Sequence, residues 1–177
     1  MKVIYVFFIA VFLFAFASCE KSDVVADVEQ EVVLKKAHLL SNFRAHLSGG
    51  EEVPANTSQA TGQAIFTLSK DGTMISYKLI VANLENVTMS HIHMGASGTN
   101  GGVVAWLYPS GPPAMLLEGT TNGMLAEGVI QAENLVGAIE GQSLDALVDA
   151  MKAGNAYVNV HTTVFPGGEI RGQISGK

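Results

Sequence analysis

Nineteen glycines punctuate this chain, and none falls before residue 49. Between them lie short segments in which apolar and polar residues alternate, the two-residue period of a strand with one buried face. Phe43-Arg44-Ala45-His46-Leu47 has that period and breaks at Gly49-Gly50-Glu51-Glu52-Val53-Pro54. Residues 63–68 and 73–81 flank Asp71-Gly72, a pair that favours a tight hairpin turn. Residues 88–93 and 102–108 bracket a glycine-rich loop, and Asn122-Gly123 predicts another turn before a strand at 124–130. Residues 156–162, the turn Phe165-Pro166-Gly167-Gly168 and residues 169–174 predict a last hairpin. Recurrent turns at this spacing predict an all-β, antiparallel, Greek-key-like β-sandwich or barrel. Only seven aromatic residues follow residue 18, so its core must be mostly aliphatic.

One stretch departs from that texture. In Ser143-Leu144-Asp145-Ala146-Leu147-Val148-Asp149-Ala150-Met151-Lys152-Ala153-Gly154, a serine can cap an N-terminus, acids occupy the early turns and glycine can end the last one. This predicts one short helix at about 143–153. Leu144, Leu147, Val148 and Met151 form its apolar stripe, which should lie against the sheet.

The N-terminus has a different character. Lys2 precedes an apolar run at 3–17, and Ala17-Ser18-Cys19-Glu20 opens into polar sequence. The run is shorter than the ~20 residues of a spanning helix and no basic flank follows it, so residues 1–18 are expected to be a signal peptide. Phe16-Ala17-Ser18-Cys19 resembles a bacterial lipobox. Cys19, the one cysteine of the chain, is then expected to carry lipid and hold the protein to a membrane. Residues 19–41 lack Gly and Pro and read as a tether, partly helical; residues 42–177 form the domain. After residue 18 the chain carries nine basic and sixteen acidic residues, a net charge of −7, which argues against a nucleic-acid partner. With a single cysteine, no intrachain disulfide can form.

Three histidines carry the clearest chemistry. His91 and His93 share one strand face, with Ile92 on the other, and His161 shares the polar face of its segment with Tyr157 and Asn159. If the two strands pair, three imidazoles converge, a donor set suited to zinc or copper with an open fourth position. The other role open to them is structural: donating hydrogen bonds to carbonyls of the glycine-rich loop. Glu169 and Arg171 alternate onto one face and are expected to form a structural ion pair, with Glu51 or Glu52 as alternative partners for the arginine. His46 is expected in solvent and His38 in the tether. No Gly-x-Ser-x-Gly elbow and no thiol besides Cys19 are present, so no catalytic residue for nucleophilic hydrolysis is proposed.

Four segments, in order, resemble the CHRD domain, the module named from chordin: residues 43–54, His91-Ile92-His93-Met94-Gly95, residues 153–162 and residues 165–174. The resemblance implies an extracytoplasmic all-β domain without an established enzymatic activity. Its fold template is a superoxide-dismutase-like or immunoglobulin-like sandwich. Two functions follow as expectations. The first is an interaction module of the bacterial cell envelope, lipid-anchored and facing the periplasm or the outside, that binds a protein or glycan and a transition metal at His91, His93 and His161. The second is a metal-dependent redox enzyme of superoxide-dismutase type. A binuclear centre of that type needs about six imidazoles and an aspartate, whereas the domain offers His46, His91, His93 and His161.

Overall fold

The computed structural model describes residues 28–30, 32, 33 and 42–176. The chain divides into two units, residues 1–34 and 35–177. In the first, residues 28–30, 32 and 33 are helical, and Val28, Val32 and Val33 are exposed. The expected signal peptide and Cys19 lie outside the described residues.

Among its described residues the second unit contains eight strands: β1 (Asn42–Ser48), β2 (Thr61–Leu68), β3 (Ile75–Met94), β4 (Gly102–Tyr108), β5 (Leu117–Ile130), β6 (Ala156–Thr162), β7 (Ile170–Gln173) and β8 (Ser175–Gly176). Strands β2, β1, β7, β6 and β3 pair in that order, and β3 returns to β2, so five strands close a barrel. All these pairings are antiparallel. Strands β4 and β5 hang on β3, and β8 pairs with β1. The all-β, antiparallel expectation holds, and closure makes the architecture a barrel rather than a two-sheet sandwich.

Closure depends on β3, which is 20 residues long and joins two segments that the sequence divides between residues 81 and 88. Asn83 and Asn86 take φ of 59° and 52°, a left-handed conformation that asparagine tolerates better than most residues. The ladder to β5 shifts register between Val81 and Leu84 and again between Glu85 and Val87. These bulges bend β3, so that its first half pairs with β2 while its second half pairs with β6 and β4. The turn expected at Asn122-Gly123 is absent; that pair lies inside β5, where Asn122 Oδ1 accepts the Asn83 N–H at 2.9 Å. The Asn-Gly pair follows its neighbour's bulge instead of reversing the chain.

The hairpin at Asp71-Gly72 forms as expected, with Asp71 Oδ1 accepting the Ser69 hydroxyl and the Thr73 N–H. The one α-helix among residues 42–176 is α1 (Asp145–Lys152). Its cap is corrected: Leu144 is the N-cap residue, and the Ser143 hydroxyl bonds the Asp145 carboxylate at 3.3 Å. The backbone explains this, because Ser143 and Leu144 carbonyls already accept the Ala146 and Leu147 N–H groups in a tight first turn. Gly154 at φ 69° ends the helix, and the predicted stripe of Leu144, Leu147, Val148 and Met151 is buried beside β6 and β8. Inside the barrel the core is aliphatic around Phe43 and Phe66, which face each other across β1 and β2.

Candidate metal centre

Strand β6 is buried along its whole length, on both faces. Val158 and Val160 face the barrel interior with Ile92 and Ile170, all at 0 % exposure. The opposite face turns outward and carries Tyr157, Asn159 and His161. Register places Asn159 opposite His91 and Tyr157 opposite His93, so these side chains share that outer face. Loops cover it: residues 95–101 between β3 and β4, residues 49–60 between β1 and β2, and the turn at 163–169. The polar face expected from alternation is therefore buried, and the three histidines are 3 to 8 % exposed.

The three imidazoles meet as the sequence suggested. One ligand nitrogen from each of His91, His93 and His161 lies within 4.8 Å of the others. His91 Nδ1 and His161 Nε2 are 3.3 Å apart. Two nitrogens bound to one tetrahedral zinc at ~2.0–2.1 Å stand about 3.3 Å apart, so this pair already spans one edge of such a site. Two further contacts set the tautomers. His93 Nδ1 donates to Gly101 O at 2.9 Å and His161 Nδ1 donates to Pro166 O at 3.0 Å. Carbonyls only accept, so both protons sit on Nδ1 and both Nε2 atoms carry lone pairs; that of His93 has no donor, and that of His161 accepts from His91 Nδ1–H, a proton that a metal between the two rings would replace. Backbone acceptors behind metal-bound imidazoles fix ring orientation in the same way. Both roles expected from the sequence thus coexist: His93 and His161 donate to loop carbonyls, and one nitrogen of each of the three rings still faces a common point.

Burial acts on their charge. Desolvation pushes the His91 pKa down to about 3, reinforced by His161 and His93. Desolvation also lowers His93 and His161, against the Gly101 and Pro166 carbonyls, which favour the charged rings. All three are neutral at pH 7, the state that binds a metal.

Arg171 organises the cover. Its guanidinium stacks 3.5 Å from the centre of the Tyr157 ring and donates to Asn100 Oδ1, Ala96 O and Thr99 O. Tyr157 in turn lies parallel to His93, with ring centres 4.8 Å apart, and its hydroxyl accepts the Gly101 N–H. A side chain at position 101 would put Cβ 1.7 Å from Met94 O, so only glycine lets this loop close over His93. Trp106 closes the other side, edge-on to His91 at 4.2 Å.

The expected Glu169–Arg171 ion pair is not formed. Glu169 accepts hydroxyls from Ser58 at 2.7 Å and Thr162 at 2.7 Å, which joins the 49–60 loop to the last hairpin. The two residues do alternate onto one face, but each is drawn to a different loop. Charge on Arg171 is felt instead by Glu52, whose pKa burial nevertheless raises to about 7. His46 is exposed and outside the cluster.

Alternation marked Tyr157 and Asn159 as companions of His161 but gave them no role. Trp106 and Glu52 come from segments that no spacing rule connects to the histidines, and only β3–β4 register and loop closure bring them in. The CHRD domain family model matches residues 43–174, and the chain belongs to that family. Searches of curated proteins and of solved structures each returned no match.

Proposed function

We propose that this protein is an extracytoplasmic interaction module, held to a membrane through lipid on Cys19, whose CHRD barrel binds a single zinc or copper ion at His91, His93 and His161. The observation that carries the metal reading is the 3.3 Å edge between His91 and His161, with His93 oriented from behind by Gly101. Burial of His93 Nε2 without a hydrogen-bond donor is unfavourable for a merely structural cluster, because a lone pair with no donor loses its hydration. Among the described residues this is the one such group, and His46 stands apart, which supports a mononuclear site over a binuclear redox centre. Family membership supports a protein or glycan partner outside the cytoplasm, and the acidic net charge argues against nucleic acid.

Calorimetric titration of the purified chain with zinc and with copper(II) at pH 7.5 tests the site. One specific equivalent is expected, reduced by orders of magnitude in His93→Ala; flat titrations for both metals would remove the metal from this function. Anchoring is tested separately, since Cys19→Ser should leave membranes for the soluble or unprocessed fraction, and a cleaved variant that stays membrane-bound would contradict lipidation.

A further inference from the structure

Four buried polar atoms of the described residues lack a hydrogen-bond partner: His91 Nε2, His93 Nε2, Asn159 Oδ1 and Glu52 Oε1. Native domains leave few such atoms, and a local concentration of them points to an ion or water between them. Metal ligation explains His93 Nε2, while His91, whose Nδ1 forms the 3.3 Å edge, keeps its Nε2 outside that edge, and the amide oxygen is left without a role.

Asn159 is 3 % exposed and sits directly across from His91, two residues before His161 on the same face. Its amide reaches His93 closely enough to favour that ring's charged form, yet neither Oδ1 nor His93 Nε2 closes a well-formed hydrogen bond. The other end of the amide is turned away. A Cβ built on Gly168 would lie 3.0 Å from Asn159 Nδ2 and 2.3 Å from Glu52 Oε1, so the NH₂ group faces the side where a carboxylate oxygen waits. This leaves Oδ1 on the histidine side. The backbone is also pinned there, because the Asn159 carbonyl accepts the Ser90 hydroxyl at 2.7 Å.

We propose that Asn159 Oδ1 is the fourth donor of the three-histidine centre, completing a closed N₃O set for a divalent ion. This rests on the metal reading above. An amide oxygen is a hard donor that suits zinc or copper(II) and does little for copper(I), which prefers sulfur and nitrogen. With four protein donors the centre has no vacant position for an external anion. The neutral set also leaves the ion's positive charge to be balanced by its surroundings, where Glu52 Oε1 lies on the amide side of Asn159.

The test uses the full chain loaded with zinc or copper(II). Asn159→Leu, similar in size and without a donor, should weaken zinc at least about tenfold in a chelator competition, and Asn159→Asp should restore or exceed the parent affinity. Copper(II) paramagnetic resonance should change in both variants. Added azide should give a charge-transfer band with Asn159→Leu and none with the parent. If Asn159→Leu fails to fold, the copper(II) spectrum of Asn159→Asp decides, since a residue outside the coordination sphere would leave it unchanged. Parent-like affinity and spectra in the variants, or azide binding by the parent, would overturn the fourth donor. Loss of metal in His93→Ala with full retention in Asn159→Leu would overturn Asn159 alone, whereas no uptake by the parent would overturn both proposals.

Discussion

The two faces of β6 are equally buried and differently made. On the inner face, Val158 and Val160 meet other aliphatic side chains inside the barrel and need no hydrogen-bond partner. On the outer face, Tyr157, Asn159 and His161 are covered by loops, and two orphaned nitrogens and an orphaned amide oxygen remain there. Burial on the first face is the source of stability. On the second it works against stability unless a ligand satisfies those atoms, which is how a binding site differs from a core.

Four perturbations sharpen that contrast. The largest effect belongs to the interior: Phe66→Ala should lower unfolding free energy by about 3–5 kcal/mol, through lost transfer energy and the cavity left behind. Metal affinity of the molecules that remain folded should be unchanged. Chemical denaturation and metal titration of one sample check both halves, and a matching fall in affinity would mean that the two faces are not independent.

Arg171→Ala acts on the outer face. Three acceptors in the 95–101 loop lose a charged donor, for a loss of about 2–3 kcal/mol. Here affinity should fall too, by about tenfold, because the loop carries the carbonyl that orients His93. Unchanged affinity would show that Gly101 is held in place without the arginine.

Acid should probe the same face in the metal-free protein. The histidines have folded pKa values below their ordinary value of 6.5, so on acidification the unfolded chain takes up protons first and stability falls below pH 6.5. Glu52 has the opposite sign: raised from 4.5 to about 7, it binds its proton first in the folded state, and its contribution is lost as pH rises through 7. Between pH 4.5 and 6.5 the two oppose each other. Glu52→Gln should therefore steepen the loss of stability on acidification, by at most about 1.4 kcal/mol per pH unit. Parallel stability curves for parent and variant would show that Glu52 does not titrate in this window.

The smallest effect is expected at His46. It is exposed and outside the cluster, so His46→Ala should change stability by less than about 0.5 kcal/mol and leave metal affinity intact. A marked loss of affinity would enlarge the site beyond three histidines.

Sequence alone determined the features that rest on short-range periodicity. Alternation marked most strands, placed His91 with His93 and His161 with Asn159, and separated both sets from the aliphatic core, because side-chain direction in a strand depends only on parity. The composition of 143–154 located the helix, since its apolar stripe and terminal glycine are local. Tertiary structure decided the rest. Bulges at Asn83 and Asn86 merged two expected strands into β3 and so closed the barrel, because a bulge is specified by what pairs on either side of it. Loop closure sent Glu169 to Ser58 and Arg171 to the 95–101 loop, since two residues that share a face pair only if nothing nearer competes. The same loops buried a face that alternation marks only as polar, and that burial makes Asn159 and the histidines a chamber rather than a surface.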